Sequence, residues 1–399
     1  MGVTGPYWSD QRLDALRLVG DPVADAAVAA YFAERAEAHP GALLAHMVHQ
    51  GTVMSDKQSP ALAKYFDDQP ALPQWAEPDR IAKAQDFFAE SGLLIGVALY
   101  CASLPETFAA AEGVQVLHLT ARLATGTRRR IYETAQFLID VMTPGALEVG
   151  AAGYREARRV RIVHAAVRHL ILNDPTVDRA CDGPTSAPRW CSEWGLPLNR
   201  EDMLGTLMAF TTVVFDALPR LGVETSLEER ADYLHAWKVV GALMGIPADL
   251  LGDLDVKSAD ELTAAIRRRQ QRPSLEAQEM MGALLGLLES EMPRSLNSLP
   301  RSLVRYLVGN EVADMLAIRP STSIDLLFDP LRRIMAAVSL IQEHNRMVRS
   351  ASERLGRRMM RAFLGAERGD RRAAFSIPTQ LAHRWGVAAP GPTVDAPAR

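Results

Sequence analysis

The stretch RRRIYETAQFLIDVM, residues 128–142, decides the fold class. Ile131, Ala135, Leu138 and Met142 recur at helical spacing and form one apolar stripe. Arg130, Glu133, Thr134 and Phe137 fall together on an adjacent face, because residues three and four apart are neighbours on a helix. Thr125-Gly126-Thr127 precedes the segment and Pro144 follows it, so both ends carry stop signals. The next helix is predicted from about Leu147 to Leu172, where Asn173-Asp174-Pro175 halts it.

The same pattern continues outward. Asp21-Pro22 reads as a cap with proline at the first helical position, ahead of a helix over Val23 to Ala38. Helices are expected over Gly41 to Gln50 and over Asp79 to Tyr100, the latter burying Phe87, Phe88, Leu94 and Val97. Asn199 with Asp202, Ser226 with Glu229, and Ser258 with Glu261 have the spacing of helix-start caps. Further helices are expected over 275–292, 298–316 and 328–365. Few segments alternate long enough to make a strand. The expectation is an all-α protein with one compact helical domain over residues 18–366. An N-terminal segment (1–17) precedes it, and an irregular Pro-, Ala- and Gly-rich segment (367–399) follows it.

The formal net charge of -4 over 399 residues removes the global basic charge that a nucleic-acid partner calls for. Local arginine clusters at 128–130, 158–161 and 267–269 read as hydrated helix surface. No continuous apolar run approaches 18 residues, so no membrane span is expected. MGVTGPYWSDQRLD lacks a basic region followed by an apolar export segment, and the location expected is cytoplasmic. Cys101, Cys181 and Cys191 are the only cysteines. Spacing allows a Cys181–Cys191 bridge, but three free thiols are expected in a reducing compartment.

One histidine stands out. Val160, His164, Val167 and Ile171 share a helical stripe, and Arg161 and Arg168 lie on the neighbouring stripe either side of His164. A neutral imidazole there can ligate a metal or haem iron, and persistent guanidinium charges can meet two propionates. A satisfied core histidine explains the same periodicity. His169 points elsewhere on the helix. Glu133 can accept a proton if burial raises its pKa, and Thr134 can hydrogen-bond a ligand. A surface Arg130–Glu133 pair is the simpler account of that face. Glu112 and His118 form a weaker candidate pair upstream. His46 and His49 lack a third ligand. HExxH, CxxC, G-x-S-x-G and strand–GxGxxG–helix signatures are absent, as is a pair of Glu-x-x-His motifs.

Arg130-x-x-Glu133-Thr134 followed by Arg161-x-x-His164-x-x-x-Arg168 resembles the bacterial latex-clearing protein and MpaB-type oxygenase superfamily (the rubber oxygenase catalytic domain). GDPVAD, PALAKYF and YLHAWKVVGALMGIP are similar as well, so the resemblance runs over roughly residues 18 to 320. It implies a helical, globin-like core around haem b, with His164 as axial iron ligand. Arg161 and Arg168 then flank the haem, and Arg130, Glu133 and Thr134 lie on the distal helix. The implied activity is dioxygen-dependent cleavage of a carbon–carbon double bond in an isoprenoid or other apolar substrate. The alternative is a haem-binding or gas-sensing protein without turnover. The rubber-cleaving branch carries a distal lysine where this chain has Glu133, and Glu112 lies near the family's separate catalytic glutamate without fixed register.

Overall fold

A computed structural model describes residues 7–34, 59–121, 127–175, 177–181, 189–290, 292 and 297–320. Helix α1 (Asp10–Arg17) starts at Ser9, whose side chain accepts the Arg12 N–H. Then come α2 (Pro22–Glu34), α3 (Pro60–Asp67) and α4 (Pro78–Ala98). A π-helical turn, Leu99–Ser103, joins α4 to α5 (Leu104–Ala109), and α6 (Gly113–Ala121) follows. The two helices singled out in the sequence are α7 (Thr127–Met142) and α8 (Ala152–Asn173). The chain continues with α9 (Arg200–Phe210), α10 (Thr212–Ala217), α11 (Leu227–Leu243) and α12 (Ala248–Gly252). It closes with α13 (Val256–Gln270), α14 (Leu275–Ser290) and α15 (Leu299–Met315). Among the described residues the only β pairing is two isolated bridges, Ala110–Gln271 and Asp178–Arg189. The fold class is all-α.

Helix α11 is the centre of the main core. Tyr233, Leu234, Ala236, Trp237, Val239 and Val240 are all buried, so every face of this helix meets protein. It starts with a full capping box: Ser226 accepts the Glu229 N–H while the Glu229 side chain takes the Ser226 N–H. It packs most extensively against α4, and a hydrogen bond ties α11 to the start of α4. The Glu77 N–H, one residue ahead of α4, donates to His235 Nε2 at 2.9 Å. That contact satisfies one of the amide groups a helix start leaves open.

Helix α8 divides two cores. Tyr154 and Ala157 near its start belong to the main cluster. Ile162, Val163, Ala166 and Leu170 pack instead against α2 and α3 through Ala24, Val28, Tyr31, Leu62 and Tyr65. Its start lies at Ala152 rather than near Leu147. Gly145 and Gly150 take positive φ, and the Tyr154 N–H bonds Ala146 O, so residues 143–151 form turns. A Cβ on Gly153 would stand 2.9 Å from Ala146 O and from Val141 Cα, so glycine permits this close α7–α8 junction.

Residues 10–17, expected to precede the domain, form α1 and bury Leu13 and Arg17. Helix α13 begins at Val256, because Asp255 is the cap and Ser258 its reciprocal partner, rather than Ser258 capping with Glu261. The expected helices over 41–50 and 328–365, His46 and His49, and the segment 367–399 lie outside the described residues. Pro78–Ala109 and Arg200–Leu221 are long and apolar enough to cross a membrane, yet 50% and 61% of their apolar windows are buried in the protein.

Candidate functional site

His164 occupies the middle of α8 and lines a small cleft. The other walls come from three places: Gly20 and Asp21 before α2; Leu198, Asn199, Arg200 and Met203 at the start of α9; and Met244, Gly245 and Ile246 after α11. The cleft's lining thus includes two thioethers and two aliphatic side chains besides the imidazole, whose Nδ1 is shielded from solvent.

The two flanking arginines hold this cleft together. Arg161 grips Asp21 with two guanidinium nitrogens, the second bond from Nη2 to Oδ1 at 2.7 Å. Burial disfavours its charge, but the Asp21 carboxylate outweighs that and raises its pKa. Arg168 pairs with Asp25, and donates to Pro197 O at 2.8 Å and Leu198 O at 2.7 Å. One salt-bridge partner caps α2 and the other lies in its first turn, so both arginines pin the start of α2 to α8. Two glycines close in on these pairs. A Cβ on Gly20 would lie 2.7 Å from Asp25 Oδ2 and 3.0 Å from Arg168 Nε. One on Gly245 would lie 2.8 Å from Arg161 Nε and 2.9 Å from Asp21 Cγ.

Helix α7 packs along α8. Glu133 is partly buried and Thr134 exposed, and neither lines the His164 cleft. Arg130 lies on α7, but its side chain is outside the described residues. Glu133 faces Arg159 of α8. Burial works against the Arg159 charge, while Glu156, Glu133 and Asp140 together overcome that and raise its pKa.

Residues 86–340 match the family model described as "ER-bound oxygenase mpaB/B'/Rubber oxygenase, catalytic domain". The chain belongs to this family. A rubber oxygenase of Streptomyces sp. (strain K30) is 23% identical over 261 residues, which span 64% of this chain and 60% of that relative. A solved structure of a latex clearing protein in the closed state shares the fold, with a TM-score of 0.68 and 19% identity. The alignment covers 91% of this chain and 94% of that one. The described residues thus share the helical fold of that structure.

Other polar residues of this family member are structural. Glu112 and His118 do not pair. Glu112 bonds Arg17 at 2.7 Å and Arg272 at 2.6 Å, while His118 contacts Glu279 at 2.8 Å. Arg17 is buried among Glu112, Glu201, Asp202 and the Trp194 carbonyl. In this cluster burial pushes the Asp202 carboxyl up to about 6, against the pull of Arg17. Burial, aided by Arg80 and Lys238, lowers His235 to about 4, which keeps its Nε2 free to accept the Glu77 N–H. Lys238 donates to Gly252 O and Leu254 O and is lowered to about 8 by burial, then by Arg80. His169 stacks on Phe32 with ring centroids 4.4 Å apart.

Two surface expectations are corrected. The 158–161 and 267–269 clusters are not simply hydrated helix surface, and the side chains of 128–130 lie outside the described residues. Arg158 is buried against Tyr65, and Arg161 binds Asp21. Arg267 chelates Glu106 with bonds of 2.7 and 2.8 Å, and Arg269 joins Glu201 and Asp14. Nor are all three thiols free, because Cys181 and Cys191 form a disulfide and only Cys101 is free. The Trp190 N–H bonds Asp178 O, which folds the loop back and brings the two Cα atoms to 4.7 Å. Cys181, Cys191 and Glu193 are the one metal-like cluster among the described residues, and the bridge consumes both thiolates.

Proposed function

We propose that this chain is a haem-dependent oxygenase that uses dioxygen to cleave a carbon–carbon double bond in an isoprenoid or other apolar substrate. Each alkene carbon ends as a carbonyl, one oxygen atom from dioxygen going to each. The observation that carries this reading is His164, set in a cleft walled by Met203, Met244, Leu198 and Ile246, in a chain of the MpaB and rubber oxygenase family. An imidazole with one nitrogen shielded, lining a cleft with two thioethers, two aliphatic side chains and three arginines, is donor chemistry that haem iron and its carboxylates take. Haem b, when bound, supplies the iron that activates dioxygen.

The protein's own residues then have separable tasks. His164 holds the iron. Arg161 and Arg168, each neutralised by an aspartate, hold α8 and α2 in register around it. Glu133 and Thr134 do not line the His164 cleft, so their roles belong to substrate held on the α7 side of α8. There Glu133 would take a proton from the allylic position and return it as the two carbonyls form, Thr134 would hydrogen-bond the reacting oxygen, and Arg130 would offset developing negative charge. Arg159 of α8 is near enough to Glu133 for the two charges to attract each other. The apolar walls exclude water and orient a hydrocarbon chain. The carboxylate in place of a distal lysine sets this chain apart from the rubber-cleaving branch, and a smaller isoprenoid or polyene is the substrate proposed. The work is assigned to the cytoplasm.

The test is a visible spectrum and pyridine haemochromogen on the purified protein, with iron measured on the same sample. One b-type haem per chain is expected, and its loss in His164→Ala. Isotopically labelled dioxygen with short isoprenoid alkenes should then label both product carbonyls. Oxygen binding without any substrate-dependent product would support the gas-binding alternative. A Glu133→Gln variant with full turnover and an unchanged pH profile would remove the proton-acceptor role.

A further inference from the structure

The charges around the His164 cleft do not balance. Three arginines line it: Arg161, Arg168 and Arg200. The first two are matched one-to-one by Asp21 and Asp25. Arg200 has no side-chain hydrogen bond and no ion pair among the described residues, and its Nε is buried without a partner. The acidic residues beside it in the chain are already engaged: Glu201 by Arg17 and Arg269, and Asp202 by Arg17 and Asn199. Asp202 is closer to Arg200 in sequence than either Asp21 or Asp25, yet it is turned into the Arg17 cluster.

A guanidinium is always charged at working pH and carries five N–H donors in one plane. Arg200 as a whole is only partly buried, but its Nε is buried without a partner, and a buried donor left unmade is costly unless an acceptor completes it. Arg200 has its backbone held in place at the edge of the cleft. It is the first residue of α9, directly after the cap Asn199, and its own N–H is tied to Val19 O at 3.1 Å. The flat fork matches a carboxylate with two parallel hydrogen bonds.

We propose that Arg200, and not Arg161 or Arg168, is the cation that receives a carboxylate of the molecule bound at His164. On the functional reading above, on which this rests, that carboxylate is a haem propionate. Arg161 and Arg168 are positioning residues, and Arg200 is the anion-binding one.

The experiment titrates full-length protein, produced without haem, with iron protoporphyrin IX and separately with its dimethyl ester, following the Soret band. The ester keeps the iron and the ring but removes both negative charges. Wild type is expected to bind the diacid about tenfold more tightly than the ester. Arg200→Gln should lose about tenfold for the diacid and leave the ester unchanged, and Arg200→Lys should restore part of the difference. Thermal melts of the apo variants report whether each stays folded. Equal weakening for both compounds, or none for either, would overturn the assignment while leaving the haem reading intact. Failure of wild type to bind either compound would overturn both.

Discussion

Gly245 Cα stands so close to the Asp21–Arg161 pair that a side chain there would press on both partners at once. Its φ of +97° adds a second demand, because a residue with a Cβ is strained in that region. This single position lets the turn after α11 seal one wall of the His164 cleft. Gly245→Ala should therefore cost about 2–4 kcal/mol of stability in chemical denaturation. Wild-type stability in the variant would mean the turn can rearrange without disturbing the pair.

Asp21 is the counter-charge that lets Arg161 be buried. Removing it leaves a guanidinium in protein with no anion, and that is more damaging than losing the pair as a whole. Asp21→Ala should destabilise by about 3–5 kcal/mol, and the double variant Asp21→Ala with Arg161→Met by less than the single one. A double variant no better than Asp21→Ala would show that the pair's packing, rather than its charge, carries the effect.

Local signals in this sequence were legible and distant ones were not. The α7 stripe and the Ser226 capping box rest on neighbours within four residues; the capping box forms as read, and Ala135, Leu138 and Met142 of the stripe are buried. Asp255 and Ser258 are the same kind of motif, but two overlapping polar triplets gave two starts, and only reciprocal bonding separates them. The His164 stripe was visible because Arg161 and Arg168 sit on the same helix. Their partners, Asp21 and Asp25, lie 140 and 143 residues away, so a pair of internal ion pairs looked like two cations available to a ligand. Arg200 had no signal at all. It follows a cap residue, as many first-turn residues do, and only the cleft distinguishes it.

The cysteines give a prediction that needs no cofactor. Cys101 is buried, and burial pushes its thiol up to about 12, so it cannot react in the folded protein. Native, unreduced protein should titrate no thiol, denatured unreduced protein one, and denatured reduced protein three. Replacing both Cys181 and Cys191 by serine should cost about 2–3 kcal/mol, the loop-closure value for a bridge spanning so short a segment. Three thiols in denatured, unreduced protein would show that the bridge is absent in solution.

His235 and Asp202 make opposing contributions to stability over one pH range. His235 has a folded pKa of about 4 against an ordinary 6.5. Above pH 6.5 the imidazole is neutral in both states. Below it the unfolded chain takes a proton that the folded chain refuses, so stability is lost as pH falls toward 4, by about 3 kcal/mol in all. Asp202 runs the other way. Its folded pKa is about 6 against an ordinary 3.8, so between those values the folded chain holds a proton that the unfolded chain has released. Its burial penalty, present at neutral pH, is relieved as pH falls through 6 toward 4. Wild type alone would hide both effects, because they offset each other between pH 6 and 4. Single variants separate them. The stability advantage of wild type over His235→Gln should shrink steadily from pH 6.5 to 4, whereas its difference from Asp202→Asn should move in favour of wild type over the same interval. Urea denaturation at half-unit pH steps reads both. A difference that stays constant with pH for His235→Gln would mean the imidazole titrates normally and that its bond to the Glu77 N–H does not exclude the proton.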